Sequence, residues 1–206
     1  MAGQNSIFTW ARDHMLHHKY SDTDADPHNS NRGFFFSHMG WLMMEPHPLL
    51  QQKKREIDVS ELRADKLIMF QRKYFLYIYI PLIALLPIGV PMYFWNESFW
   101  NAFFVVYCFQ YIINLHITWT VNSFAHLWGS KPYDTRIRAA ESYISSILTL
   151  GDGWHNFHHA FPWDYRNGEK FCVTAKVLDL LAYLGLAYDL KMASPSIING
   201  HLNRHG

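Results

Sequence analysis

The chain has 206 residues, of which 50% are hydrophobic and 17% aromatic, and its formal net charge is +1. No Lys- and Arg-rich strip with interleaved aromatic residues is present, so no nucleic-acid partner is predicted. Cys108 and Cys172 form no CxxC motif, which indicates neither a disulfide framework nor a zinc ribbon and fits a reducing, cytosol-facing protein.

The first segment, residues 1–73, is polar at its start. No apolar h-region follows Met1, so no signal peptide is expected. The pattern predicts a helix from Ser6 to Tyr20, a turn over Asp24 to Asn29, and a charged amphipathic helix between about Val59 and Lys73.

Two long uncharged runs follow, FLYIYIPLIALLPIGVPMYFW from Phe75 to Trp95 and FWNAFFVVYCFQYIINLHITWTV from Phe99 to Val121. Each has about 20 residues, enough for a helix to cross a hydrocarbon core of about 30 Å. They predict a transmembrane helical hairpin over residues 74–121. The alternative is a buried core hairpin of a soluble protein, although paired uncharged runs of this length are unusual there.

Basic residues flank this hairpin on both sides, whereas the short loop around Asn96 to Ser98 has none. The positive-inside rule therefore places both long flanks in the cytosol. The predicted fold is an all-α membrane protein with a transmembrane hairpin and a cytosolic helical cap. The cap combines residues 1–73 with residues 122–206, and the cap and the hairpin together are expected to form one domain. The basic residues are Lys53, Lys54, Arg55, Arg63, Lys66, Arg72 and Lys73 before the hairpin, and Lys131, Arg136 and Arg138 after it.

The third segment, residues 122–206, begins with NSFAH, and an amphipathic helix is predicted near Thr135 to Leu150. A glycine break, GDGWHNFHH from Gly151 to His159, and a helical tail follow. Asp152 is expected to cap the helix of this motif, to accept a hydrogen bond from a histidine, or to do both. Other candidates for the second role are Asp13, Asp24, Asp26 and Asp164.

Histidines recur at the spacing i, i+3, i+4, which is one face of a helix. Neutral imidazole suits Fe, Zn, Cu or Ni. Seven histidines exceed the four ligands of a closed zinc site, so two metal ions explain them better, with Asn122 as a weak or water-bridged ligand. The histidines are His14, His17 and His18, then His126, and then His155, His158 and His159.

The remaining histidines are interpreted separately. His28 and His38 are expected to be structural rather than partners of ligands, and His116 is left undecided. Three more, His47, His201 and His205, are expected to face solvent. A hydrolytic site would keep carboxylates among its ligands and needs no membrane, so histidines beside a bilayer hairpin favour O₂ chemistry on a lipid.

Three stretches closely resemble the acyl-CoA delta-9 desaturases of animals: WARDHMLHHKYSDTDADPHNSNRGFFFSHMGW, VNSFAHLWGSKPYD and GDGWHNFHHAFPWDYR. Trp154 and Trp163 are more similar to insect or other arthropod members than to vertebrate ones. The resemblance covers essentially all 206 residues.

This resemblance implies a multi-pass enzyme of the endoplasmic reticulum membrane, in contact with membrane lipid, with a histidine-bound di-iron centre. Such enzymes use a saturated fatty acyl-CoA, O₂ and electrons from cytochrome b5, and they introduce a cis double bond, typically between C9 and C10. The protein would mainly position the chain beside the metal.

The family's metal ligands correspond to the seven histidines above, and Asn122 matches the asparagine that holds a water near one iron. The resemblance further implies that Asn5, Arg12 and Asp13 contact the CoA head group. It also implies that Trp41 lines the acyl tunnel, where ordinary packing is the alternative.

Two departures from the family pattern bear on activity. Glu45-Pro46 stands where the family has two basic residues, which should weaken binding of CoA phosphates. The family also has two earlier transmembrane helices and an HRxxxH box, which nothing here matches, so Met1 aligns with an internal position. We therefore expect a truncated chain with little independent activity. The alternatives are a non-catalytic desaturase-like protein and a histidine-box desaturase or hydroxylase of other regioselectivity.

Overall fold

The computed structural model describes residues 4–206, and these residues form helices joined by loops. No β-strand occurs among them, and extended pairing is limited to isolated bridges of Glu141 with Ser130 and Trp154. The helices before the hairpin are α1 (Ile7–Tyr20), α2 (Phe34–His38), α3 (Pro48–Arg55), α4 (Ser60–Ala64) and α5 (Lys66–Lys73). Those after it are α10 (Tyr143–Thr149), α11 (His155–Ala160), α12 (Val173–Tyr183) and α13 (Pro195–His205).

Two long helices lie between these groups. The first span, Phe75–Phe94, consists of α6 (Phe75–Tyr79), a π-helical stretch (Ile80–Leu85) and α7 (Leu86–Phe94). The second span, Phe99–Leu127, consists of α8 (Phe99–Asn101), a π-helical stretch (Ala102–Phe109) and α9 (Gln110–Leu127). The second span thus extends six residues beyond the predicted Val121, because α9 continues through the NSFAH motif.

Both spans have the length and composition needed to cross a membrane, with mean hydropathies of 2.0 and 1.3. Only 6% of the apolar stretch of the first span and 11% of that of the second is buried. The core helix of a soluble protein would be mostly buried. The exposure of these apolar surfaces therefore favours the predicted transmembrane hairpin over the soluble alternative.

The described residues divide into two compact units. The first unit contains residues 4–27 and 46–116, and the second contains residues 28–45 and 117–206. The predicted division was by location, in the membrane or in the cytosol, and not by contacts within compact units. It gave the segments 1–73, 74–121 and 122–206. Those boundaries stay a prediction.

In the first unit, α1 packs on α3 through a cluster of Leu16, Leu50 and Ile57. The helix begins where the pattern predicted, because the Ser6 hydroxyl accepts a hydrogen bond from the backbone N–H of Thr9 and caps the first turn. These contacts fix the helix that carries the first three histidines.

The predicted helix over 59–73 is interrupted at Asp65, which has extended backbone and separates α4 from α5. Its carboxylate accepts hydrogen bonds from the N–H groups of Leu67 and Ile68, at 2.8 and 3.0 Å. An aspartate in this position is a helix N-cap, so a second helix starts here instead of the first continuing.

In the second unit, α11 and α13 enclose a small core, and residues 130–142 form a loop. The helix predicted near 135–150 is therefore wrong for its first half, and only α10 forms. The backbone N–H groups of Ala140, Glu141 and Ser142 donate to distant carbonyls instead of to the preceding helical turn. The core consists of Tyr133, Phe157, Phe161, Ala193 and Ile198.

Two glycines shape the turn between α10 and α11. Gly151 has φ of +127°, and a Cβ there would lie 2.4 Å from the Cα of Cys172. A Cβ on Gly153 would lie 2.2 Å from the backbone nitrogen of Ser146. Neither position has room for a side chain. Glycine at these positions therefore allows the start of α11 to lie close against the backbone of α10.

Candidate metal centre

The first histidine set lies on α1 in the first unit. The Nε2 atoms of His14 and His18 are 3.0 Å apart, with ring planes inclined by 78°. His17, on the same helix, has its ring centroid 6.2 Å from that of His14 and 5.7 Å from that of His18. The predicted spacing thus brings the three imidazoles of α1 to neighbouring positions.

One carboxylate orients a histidine of this set. Asp26 Oδ1 lies 2.9 Å from His17 Nδ1, and both side chains are buried. A metal-binding imidazole commonly bonds through its other nitrogen to a carboxylate, which fixes the ring and its tautomer. Asp26 was among the predicted partners, and its contact directs Nε2 of His17 away from the carboxylate.

The other aspartates proposed for this role have different surroundings. Asp13 bonds to Arg12 and Lys54, while Asp164 bonds to Arg166. Asp24 is exposed. Asp152 accepts a hydrogen bond from Asn167, and it does not cap α11, which begins after Trp154 without a side-chain cap. Both roles predicted for Asp152 were therefore wrong.

The second histidine set lies in the second unit, on α9 and α11. His155 Nε2 is 3.0 Å from His126 Nε2 and 3.1 Å from His159 Nε2. The ligand atoms of these three histidines all lie within 4.8 Å of one another. The ring of His158 stacks beside that of His155, with centroids 5.5 Å apart. Asn122 is half-buried on α9, one turn before His126 and on the same face.

The distances in both sets fit a first-row metal ion. Imidazole nitrogens lie about 2.1 Å from such an ion, so two ligands at right angles are about 3.0 Å apart. The three close Nε2 pairs have separations of 3.0, 3.0 and 3.1 Å. Neutral imidazole donors suit Fe, Zn, Cu or Ni, so the residues present can hold a metal of this group.

The short helix α11 is held by a residue that sequence reasoning missed. Asn156 is fully buried, and its Oδ1 accepts hydrogen bonds from the N–H groups of Tyr133 and Asp134, at 2.8 and 3.1 Å. Its Nδ2 donates to the carbonyls of Asp134 and Ala139, at 2.9 and 2.8 Å. Asn156 thus joins the histidine helix to the 130–142 loop. The sequence places Asn156 between the predicted ligating histidines in HNFHH, but it does not indicate which backbone groups this side chain contacts.

Glu141 gives a second attachment. Its Oε1 accepts a hydrogen bond from the N–H of Phe157 at 2.9 Å, and the side chain is buried. Burial raises the pKa of Glu141 above its ordinary value. The carboxyl oxygen supplies an acceptor to an N–H of the first turn of α11, where a helix has no internal partner.

Within the same loop, Asp134 is bonded to Arg136 through both of its carboxylate oxygens, at 2.9 and 2.7 Å. The guanidinium lowers the pKa of Asp134 from 3.8 to about 2. The carboxylate therefore stays ionised at all but strongly acidic pH, and it helps to shape the loop that Asn156 holds.

The predicted substrate contacts fall in different units. Asn5 precedes α1 and is exposed, while Arg12 and Asp13 lie on α1 and bond to each other at 2.9 Å. Lys54 of α3 also bonds to Asp13, at 2.9 Å, a contact across 41 residues that the sequence did not indicate. Trp41 belongs to the second unit, where its ring meets that of His28 edge to face.

Other histidines have structural surroundings. His38 is buried and its Nδ1 lies 2.9 Å from the hydroxyl of Ser123. His47 is exposed, as predicted, and caps α3. His201 was expected to face solvent, which is wrong, because its ring packs on Phe161 and its Nε2 lies 3.3 Å from an oxygen of Asp134.

Comparison with known proteins places these observations in a family. The family model for fatty acid desaturases matches residues 1–167. An acyl-CoA Delta-9 desaturase of Acheta domesticus is 48% identical over 100% of this chain and 58% of its own length. An acyl-CoA Delta-12 desaturase of Tribolium castaneum is 50% identical over 98% of this chain and 58% of its own length.

A stearoyl-CoA desaturase of Homo sapiens is 47% identical over 100% of this chain and 58% of its own length. The chain thus spans somewhat under two thirds of the length of each of these relatives. The match includes both histidine sets and both spans. On the extent of these matches, the chain belongs to the fatty acid desaturase family.

Proposed function

We propose that the protein acts as an iron- and O₂-dependent acyl-CoA desaturase. The family's members are membrane proteins, and the described residues have the all-α fold with two long apolar helices that was predicted from the sequence. The observation that carries the proposal is the convergence of His126, His155 and His159, whose ligand atoms come from two helices and lie within 4.8 Å of one another.

In this proposal, iron ions are held by the seven predicted histidines, and two ions account best for so many imidazoles. Asn122 would contribute through a water molecule. Bound iron supplies the activation of O₂. The ligands are His14, His17 and His18 of α1, His126 of α9, and His155, His158 and His159 of α11.

We propose that a few residues outside the metal centre position the substrate. Arg12 and Lys54 form a cationic pair around Asp13, with Lys54 Nζ 2.8 Å from Asp13 Oδ1. Cations of this kind bind phosphate, so we propose that Asn5, Arg12 and Asp13 contact the CoA head group with Lys54 beside them, while Trp41 lines the acyl tunnel. The Glu45-Pro46 position supplies no cation, which we expect to weaken this binding.

The proposed substrates are a saturated fatty acyl-CoA and O₂, with cytochrome b5 as the electron donor. Two hydrogens leave adjacent methylenes, and with two electrons and two protons they reduce O₂ to two waters. We propose the endoplasmic reticulum membrane as the location, with both long flanks facing the cytosol, on the basis of the basic residues around the hairpin.

The position of the double bond is the finer part of the proposal. The resemblance favours C9, and the Acheta domesticus relative is a Delta-9 desaturase, whereas the Tribolium castaneum relative is a Delta-12 desaturase. We propose Delta-9, with Delta-12 as the second candidate. Product analysis in a desaturase-deficient host distinguishes them, and a hydroxylated product would contradict both.

A metal-binding experiment tests the site independently of turnover. The purified chain is loaded with Fe(II), and bound iron is compared between wild type, His155→Ala and His47→Ala. His155 takes part in both close Nε2 contacts of the second set, whereas His47 is exposed at the start of α3. We expect the His155 variant alone to lose iron. Equal retention in all three would contradict the proposed ligands.

A further inference from the structure

Helix α10 has its polar and apolar faces in the opposite places from an ordinary surface helix. Its serines, Ser145 and Ser146, are buried, with exposures of 0% and 6%. Its aliphatic residues point outward, with Ile144 55%, Ile147 73% and Leu148 45% exposed. A helix at a water-facing surface places serines outside and leucines inside. On α10 the outward face is the more apolar one, which indicates that this face meets surroundings less polar than water.

The buried face of α10 rests on the second span. The hydroxyl of Ser145 donates to the backbone carbonyl of Thr120 at 3.2 Å, within the second unit. Thr120 is 21 positions after Phe99, the first residue of this span. At a helical rise near 1.5 Å per residue, this places Thr120 about 30 Å along the axis, the thickness of a hydrocarbon core. If the hydrocarbon core begins at Phe99, helix α10 is attached where the span leaves it.

The apolar surface continues beyond α10. Leu150 is 59% exposed and Phe171 is 68% exposed. The two lie on neighbouring backbone segments, since the N–H of Val173 donates to the carbonyl of Leu150 at 2.8 Å. The exposed aliphatic and aromatic side chains of α10 and of these two residues form one surface, which we call the α10 surface.

A cation lies beside this surface. Lys170 Nζ is 3.2 Å from the hydroxyl of Tyr143 and 4.3 Å from the centroid of the Trp154 ring. Tyrosine, tryptophan and lysine together are typical of the layer where lipid head groups meet acyl chains. Lys170 and Tyr143 are exposed, so both can reach lipid phosphates.

We propose that the α10 surface is immersed in the interfacial layer of the bilayer and contacts lipid acyl chains. Its attachment at the end of a spanning helix, its outward aliphatic face and its lysine and tyrosine all favour a lipid occupant over a protein one. This differs from the sequence prediction that residues 122–206 are wholly cytosolic. Helix α10 adds a shallow membrane contact to the two spans.

Site-specific fluorescence tests this placement. Cys108→Ser and Cys172→Ala remove the native thiols, and Ile147→Cys is labelled with an environment-sensitive dye in lipid nanodiscs, which leave both membrane faces open to buffer. Quenching by a lipid with a shallow nitroxide is compared with quenching by iodide in water. Val105→Cys, on the exposed surface of the second span, is the membrane control, and Asn203→Cys, exposed on α13, is the aqueous control.

We expect the label at position 147 to be quenched by the spin-labelled lipid several-fold more than the label at position 203, and to be protected from iodide. Iodide quenching at position 147 equal to that at position 203 would overturn the proposal. Protection from both quenchers would also overturn it, because protein would then cover the surface. The control at position 105 reports separately on whether the second span is in lipid.

Discussion

The two histidine sets share the spacing i, i+3, i+4 but are supported in different ways. Helix α1 has 14 residues, a serine cap and a hydrophobic contact through Leu16. Helix α11 has six residues and no side-chain cap. Isolated helices shorter than about 12 residues are marginal in water, so α11 depends on tertiary contacts. The same motif is thus held by a local cap and hydrophobic packing in one unit, and by hydrogen bonds from distant residues in the other.

The largest expected effect comes from removing the main support of α11. Asn156→Ala leaves two buried N–H groups and two carbonyls without their partner. Each such group costs on the order of 1–3 kcal/mol, so we expect a loss of at least about 3 kcal/mol in the free energy of unfolding. Denaturant unfolding in detergent measures this loss. Asn203→Ala, at an exposed position of α13, is the matched control, and equal stability of the two variants would refute the role of Asn156.

The next effect concerns α1, where a carboxylate orients a ligand. Asp26→Asn removes the charge that faces His17 Nδ1. Loss of such a partner weakens metal binding about 10–100-fold. Titration with Co(II), followed by visible absorption, measures the affinity. Asp24→Asn, two residues away and exposed, should leave the affinity unchanged. If both variants bind equally well, the Asp26 contact does not serve the metal site.

A smaller effect should appear as a pH dependence of the α11 support. The pKa of Asp134 is about 2 in the folded protein, against an ordinary value of 3.8. A lowered pKa stabilises the fold above about pH 4, and this contribution is lost as the pH falls towards 2. Because Arg136 is largely exposed, solvent screens the ion pair, and we expect it to contribute only about 1 kcal/mol to the free energy of unfolding.

Urea unfolding at pH 5 and pH 2.5 tests this prediction. The stability difference between wild type and Asp134→Asn should shrink at the lower pH. Arg136→Gln should reduce that pH dependence, because it removes the main cause of the shift. A difference that is constant with pH would contradict the lowered pKa of Asp134 in the folded protein.

The smallest effect should follow loss of the α1 cap. Ser6→Ala removes the acceptor of the Thr9 N–H, which costs about 0.5–1 kcal/mol. Thermal unfolding measures it, and Ser6→Asp should preserve stability. Since α1 also packs through Leu16, its histidine geometry should survive this change. A loss as large as that of Asn156→Ala would contradict the contrast between the two helices.

Local features of this molecule were predictable, and distant ones were not. The spans follow from uncharged length, α1 from its serine cap and the histidine faces from helical spacing. The break at Asp65 had a local signal that the longer amphipathic pattern obscured. The loop over 130–142 had none, because its backbone bonds to carbonyls elsewhere in the chain. Arg138 reaches Asn31 across 107 residues, which no periodicity can reveal.

The glycine pair before α11 has a consequence for redesign of the centre. Positions 151 and 153 admit no side chain, because a Cβ would meet the backbone of Cys172 or Ser146. Substitutions at these two positions would therefore be expected to disrupt the fold of the turn. The close contacts at positions 151 and 153 involve Cys172 and the backbone of α10, and no histidine side chain takes part in them. Exchanging a histidine of α11 for another ligand therefore leaves the contacts of this turn in place.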